Sequence, residues 1–166
     1  THFSEVDENL SAYGLDGHRH QPEIAQELAN LLPPNSKISV TFVPHLAPMT
    51  RGLLAACYPS ITHDLQPPNS TTNQTEVRAL LFSCYADYYS KHPFVEVVSA
   101  PPSTKQTLGS NTCLIFPTTD TTTGQVIVIS CLDNLVKGAA GTAIQCLNLM
   151  FNLDETSGLS RIGIYP

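Results

Sequence analysis

Two imidazoles and a guanidinium stand at consecutive positions, His18-Arg19-His20, within the stretch Gly17-His18-Arg19-His20-Gln21-Pro22-Glu23-Ile24. Imidazole moves protons near neutral pH and guanidinium grips phosphate or carboxylate, so the cluster suits acid/base chemistry on an anionic substrate. In an extended segment His18 and His20 share one face and Arg19 points elsewhere unless the chain turns. A polar loop feeding a helix, and a metal site in which His45 or Glu23 completes the pair of histidines, are the competing readings. His45 recurs with Arg51 in Phe42–Gly52, where Arg51 either faces an anion or belongs to a loop pinned by prolines. A third segment, Asp133-Asn134-Leu135-Val136-Lys137-Gly138-Ala139-Ala140, joins a strand to a helix. There Asp133 or Asn134 is a natural N-cap, or the helix start presents amides and small residues to a cofactor. Cys57-Tyr58-Pro59 carries a sulfur at the end of an apolar strand but no basic neighbour, which favours an inert, buried thiol.

These side chains need elements to place them. Pro22 and Glu23 suit a first helical turn, and Ile24, Leu28, Leu31 and Leu32 repeat at helical spacing until Pro33-Pro34. Residues 38–43 alternate like a half-buried strand, 44–51 turn, 52–58 form a second apolar strand, and 59–73 make a polar loop. A helix is expected over 75–91 with Val77, Leu80, Leu81, Cys84, Tyr85 and Tyr88 on one side. Strands follow at 94–98, 112–116 and 126–132, the last two separated by the turn-rich 118–124. A final helix covers 135–151. Its glycines, Gly138 and Gly141, each weaken it by about 1 kcal/mol relative to alanine, which implies that a backbone or ligand comes close there. The order α-β-β-α-β-β-β-α predicts an α+β fold, a mixed and mostly antiparallel sheet with helices packed on it. At 166 residues the chain suits a single domain, 1–166.

Charged residues are only 13% of the chain, about half the usual share, which implies that part of the surface is covered by another body. The net charge of −6 and the scattered lysines and arginines exclude a general nucleic-acid binder. No apolar run approaches membrane-spanning length. The five cysteines show no CxxC pair and their number is odd, so reduced, buried thiols are expected. Asn69-Ser70-Thr71 and Asn73-Gln74-Thr75 match the glycosylation sequon in a Ser/Thr/Asn loop, but no signal peptide accompanies them. A cytoplasmic protein is the expectation, or an organellar one if an upstream transit peptide has been removed.

GHRHQPEI, TFVPHLAPMTRG and DNLVKGAAGTAIQCLNLMF, in this order and followed by Asp154-Glu155-Thr156-Ser157-Gly158-Leu159, resemble the N-acetyl-gamma-glutamyl-phosphate reductases, NADP-dependent enzymes of arginine biosynthesis. The resemblance covers nearly the whole chain and fails mainly around residues 60–74. It implies the C-terminal substrate-binding and dimerisation domain of a glyceraldehyde-3-phosphate-dehydrogenase-like architecture. The family's glycine-rich Rossmann domain and its Gly-Cys-Tyr-Pro nucleophile segment are absent, and Cys57-Tyr58-Pro59 lies on the wrong side of HRHQPEI to replace the latter. The chain is therefore expected to begin in mid-fold and to be inactive alone. The implied reaction is attack of a cysteine thiolate on N-acetylglutamyl phosphate, departure of phosphate, and hydride reduction of the thioester to the semialdehyde. By the same resemblance His18 aligns with the acid/base histidine, and Arg19, His20 and, more weakly, Arg51 hold the substrate's anionic groups. Asn134 and Gly138 border the nicotinamide, no metal is involved, and the 133–151 helix packs on the missing NADP-binding domain. A homo-oligomer is expected. A non-catalytic binding or regulatory module on the same scaffold is the alternative, and a zinc hydrolase a third.

Overall fold

The computed structural model describes residues 2–34, 36–60 and 74–164, and the chain divides into two compact units, 1–50 and 51–166. The sequon asparagines and most of the polar loop fall outside the described residues.

The first unit contains α1 (Phe3–Val6), β1 (Ser11–Ala12), α2 (His20–Ala29) and β2 (His45–Leu46). β1 and β2 form a short antiparallel pair with Ala12 opposite His45, extended by a hydrogen bond from the Tyr13 amide to the Pro44 carbonyl. Residues 38–43 keep the alternating half-buried and exposed pattern expected of a strand, yet they join no ladder. Periodicity registers which face is covered; it does not supply the neighbouring strand. None of the described residues of this unit is fully buried, and Leu28, Leu31 and Leu32 of the α2 stripe stay exposed.

The second unit is a four-stranded sheet in the order β3-β6-β5-β4, from β3 (Leu53–Cys57), β4 (Val95–Val97), β5 (Cys113–Thr119) and β6 (Val126–Leu132). β3–β6 and β5–β6 pair antiparallel and β4–β5 parallel, so the mixed, mostly antiparallel α+β architecture is as expected. Ile115, Val126 and Val128 are buried under Leu81, Tyr85 and Tyr89 of α3 (Gln74–Tyr89). Each such side chain contributes about 1.5–3 kcal/mol when fully removed from water. The buried stripe runs through residues 81, 85 and 89; Leu80, Cys84 and Tyr88 face outward, a rotation from the predicted face. With apolar residues on several sides of α3, the sequence does not single out the side the sheet selects.

Pro117 occupies a central strand, a position that normally excludes proline. Its place follows from register. Ile115, two residues earlier, accepts the Val98 amide on the β4 side, so Pro117 turns its nitrogen to that same side, beyond the last β4 pair at Val97–Ile115. The missing N–H therefore breaks no ladder bond. Asp120 closes the β5–β6 turn by accepting the amides of Thr122 and Thr123. After β6, a single wide turn of π type (Val136–Ala140) precedes α4 (Gly141–Met150), so the expected 135–151 helix is two segments. Among the described residues, no helix is long and apolar enough to cross a membrane.

Candidate functional site

His18 lies just before α2, and its ring is held from several sides. The His20 amide donates to His18 Nδ1 at 3.1 Å. The rings of Tyr13, His20 and Phe42 meet it edge to face, with centroids at 5.4, 4.7 and 5.3 Å. Arg19 adopts helical backbone angles, φ −55° and ψ −28°, so a turn and not strand alternation brings the two imidazoles together. His18 is half-buried, whereas Arg19 and His20 are exposed. A cleft of about 450 Å³ opens beside His18, lined also by Gly17, Gln21, Pro22 and Val40. Gln21 Nε2 ties α2 to the Val40 carbonyl at 2.9 Å, fixing one wall of that cleft. His45 Nδ1 lies 3.1 Å from the Val43 carbonyl, so its proton sits on Nδ1. No group of three or more His, Cys, Asp or Glu side chains is arranged to hold a metal ion among the described residues.

Arg51, Asn134 and Gly138 belong to the second unit and are organised around Asp133. The Asp133 side chain is fully buried. Its Oδ2 accepts from Arg51 Nη1 at 2.9 Å and the Gly109 amide at 2.7 Å; its Oδ1 accepts from the Leu135 and Val136 amides at 2.8 and 3.0 Å. Burial pushes this carboxyl up, but the four donors outweigh it and hold the group below the ordinary carboxylate range. Asp133 is thus the cap of the following turn, as its type and position suggest, and also the anchor of Arg51, which nothing in the sequence signals. Asn134 Oδ1 accepts the Gly52 amide at 2.7 Å. Its Nδ2 has no partner among the described residues and remains free to donate. The turn carrying Gly138 is braced by Lys137 Nζ on Gln145 Oε1 at 2.7 Å and by Gln145 Nε2 on Glu155 at 2.6 Å.

The two glycines of this region answer different constraints. A Cβ at Gly138 meets Leu132 at 3.4 Å, an ordinary contact, and Gly138-Ala139-Ala140 is exposed. A Cβ at Gly141 falls onto the carboxamide oxygen of fully buried Asn111 and within 2.8 Å of the Val136 carbonyl. Alanine gains about 1 kcal/mol of helix propensity at either position. At Gly141 overpacking against fixed atoms, worth about 1–3 kcal/mol, opposes that gain. Gly138→Ala is expected to leave the urea midpoint unchanged or slightly raised, and Gly141→Ala to lower it; equal midpoints for the two variants would contradict this account.

The cysteines are free, but only Cys131 is buried, Cys113 is half-buried, and Cys57, Cys84 and Cys146 are exposed, which corrects the expectation of buried thiols. Edge strands and helix surfaces take apolar residues here without covering them. Desolvation nevertheless pushes the Cys57 thiol up, and Cys131 is raised to about 11 by burial and by Cys113. Neither favours a nucleophilic thiolate near neutral pH.

The described residues thus comprise a mixed sheet with α3 packed on one face, a capped turn before α4, and a separate histidine-bearing unit, an α+β architecture. The semialdehyde dehydrogenase dimerisation-domain family matches residues 1–134, and the chain belongs to that family. It is 45% identical, over 170 aligned residues, to a protein of Dehalococcoides mccartyi named N-acetyl-gamma-glutamyl-phosphate reductase. Proteins of the same name from Desulforudis audaxviator and Desulforamulus reducens are 45% and 46% identical. These alignments take in 100% of this chain but 45% of each relative, so the chain spans a little under half of their length.

Proposed function

We propose that this chain is the substrate-binding and dimerisation part of an NADP-dependent N-acetyl-gamma-glutamyl-phosphate reductase, which converts the acyl phosphate to N-acetylglutamate semialdehyde. The observation that carries the reading is the match, along the full chain, to relatives bearing that name. His18 is the acid/base histidine beside the reacting carbon, supported by its half-buried ring at the edge of a cleft. Exposed Arg19 and His20 offer cationic and hydrogen-bonding groups to the phosphate and carboxylate of the substrate. Arg51, 40% exposed and paired with Asp133, contributes positive charge to the second unit.

NADP fits the residues assigned to it. Asn134 has its oxygen anchored on Gly52 and its amide nitrogen free to donate to a carboxamide carbonyl, and Gly138 opens an exposed run of small residues where a flat ring can lie. Bound there, the cofactor supplies the hydride that reduces the thioester. The raised Cys57 thiol supports a nucleophile supplied by another segment. Ile144, Leu147, Met150 and Phe151 are exposed along α4 and its end, an apolar strip suited to packing on a Rossmann domain. The sheet face opposite α3 presents half-buried Phe116, Ile127 and Ile129, which supports pairing with a second copy.

The test is reconstitution. The chain alone, given NADPH and N-acetylglutamyl phosphate, is expected to give no turnover; joined to the N-terminal portion of one of these relatives, it is expected to reduce the acyl phosphate. Turnover by the chain alone, or none by the joined protein when its parts are folded, refutes the reading.

A further inference from the structure

We propose that the hollow where α3 ends, beside β4 and the segment that follows α4, is a binding site for a small dianion, held by Lys91, His92 and Arg161. All three line the hollow, whose volume of about 420 Å³ is that of a small-metabolite pocket. It lies wholly in the second unit and includes none of the groups assigned above to substrate or cofactor, so it does not depend on that assignment. Arg51, Arg78 and Lys137 are engaged elsewhere, with Asp133, Thr119 and Gln145. Lys91 and Arg161 are not. Both are exposed, and neither side chain has a hydrogen-bond or ion-pair partner among the described residues. Glu96 borders the hollow but does not neutralise them. Val95 packs on the core beneath α3, so strand alternation sets the Glu96 side chain on the other face of the sheet, and it forms no ion pair with either cation.

Cations just past a helix commonly bond its last carbonyls. Here other donors take them. The Asp87 carbonyl accepts the Ser90 amide at 3.3 Å and the Ser90 hydroxyl at 2.7 Å, and the Tyr89 carbonyl accepts the His92 amide at 2.9 Å. The negative end of α3 opposes an anion, but it amounts to about half an elementary charge against two full cations. Both cations also stand on anchored backbone. The His92 carbonyl accepts the Val95 amide at 3.1 Å, and the His92 ring stacks on Tyr88 at 6.0 Å and meets Tyr89 edge to face at 5.6 Å. The Arg161 carbonyl accepts Thr112 Oγ1 at 2.8 Å and the Ser160 carbonyl accepts the Asn111 amide at 2.7 Å, from residues that are themselves buried. The backbone is fixed while the charged ends stay uncommitted. Two such charges and an imidazole donor match a phosphate or a dicarboxylate, which guanidinium grips through paired N–H groups. A monoanion leaves one cation unmatched.

The experiment is a ¹H–¹⁵N titration of this chain with inorganic phosphate, glutarate and acetate at fixed ionic strength, with sodium chloride as the screening control. Phosphate and glutarate are expected to move the Lys91, His92 and Arg161 amides along a saturating curve. Acetate is expected to bind about 10-fold more weakly, one charge-assisted contact being lost. Tighter binding of phosphate assigns the site to phosphate-bearing ligands, and tighter binding of glutarate to dicarboxylates; either supports the proposal. Arg161→Ala keeps the backbone carbonyl that holds Thr112 and is expected to raise the half-saturation concentration about 10–100-fold, as is Lys91→Ala. Arg161→Lys is expected to recover most of the loss. Lys37→Ala, which removes an exposed lysine of the first unit, is expected to change nothing. Shifts that do not saturate, an equal response to chloride, or acetate binding as tightly as phosphate overturns the proposal. So does a half-saturation concentration indifferent to both Arg161→Ala and Lys91→Ala. Should one of those two variants not fold, the other decides.

Discussion

Replacement of His18 by alanine is expected to cut turnover of the joined enzyme by about 10²–10⁴-fold, the range that one acid/base or hydrogen-bonding group supplies. The loss should fall on kcat. The rings of Tyr13, Phe42 and His20 meet His18 edge to face, and none of the described residues of its unit is fully buried, so the far-UV signal and thermal midpoint of His18→Ala should match the parent. Arg19→Ala gives the contrasting outcome. Arg19 is exposed and heads α2, and on the proposed reading its removal takes away a charge-assisted hydrogen bond to the substrate, about 1.5–3 kcal/mol. That corresponds to a KM about 10–100-fold higher with kcat preserved. Steady-state kinetics on both variants separate the roles: the reading requires one to act on kcat and the other on KM. Full turnover in His18→Ala removes this histidine from the chemistry and leaves the binding-module alternative.

Much of this was legible in the chain because the relevant physics is local. His18-Arg19-His20 announces itself by residue type, Pro22 and Glu23 announce the helix that follows, and Asp133 or Asn134 announces a cap. The strands expected at 112–116 and 126–132, with the turn-rich 118–124 between them, marked the hairpin because β5 and β6 are neighbours in sequence and their turn carries its own acceptor in Asp120, although β5 runs on to Thr119. What could not be read is what depends on distant partners. Arg51 and Asp133 are 82 positions apart, and no pattern in either neighbourhood names the other. Residues 38–43 show the correct two-residue period, but a period does not say whether a ladder forms. The wide turn at Val136–Ala140 was hidden for a different reason: Gly138 and Gly141 were both visible as weak helix formers, yet only a built Cβ distinguishes the open position from the crowded one. The approach of the His18 ring to Gly14, where an added Cβ would come within 2.9 Å of Cδ2, was equally invisible, since it depends on a ring four residues away folding back onto bare backbone.

Asp133→Asn is expected to destabilise the second unit by about 3 kcal/mol at neutral pH, the largest stability effect among these substitutions. The change is nearly isosteric, so packing is not the cause. One carboxamide oxygen can still cap Leu135 and Val136, but the amide group then faces the Gly109 N–H and Arg51 Nη1, donor against donor. Arg51 is 40% exposed and can return its charge to water, so its ion pair accounts for under about 1 kcal/mol. The larger share is the Gly109 amide left without an acceptor beside a fully buried side chain. Arg51→Ala should accordingly cost much less than Asp133→Asn, an ordering opposite to one in which the ion pair dominates. The pH dependence has a definite sign. The folded carboxyl is held below the unfolded value of about 3.9, so its contribution is present above that pH and is lost as pH falls through the folded value. Urea unfolding of the two proteins across pH should show a gap that is constant near neutrality and narrows below about pH 4. A gap that stays constant into strong acid means that the charge on Asp133 contributes nothing and the four contacts act as neutral hydrogen bonds.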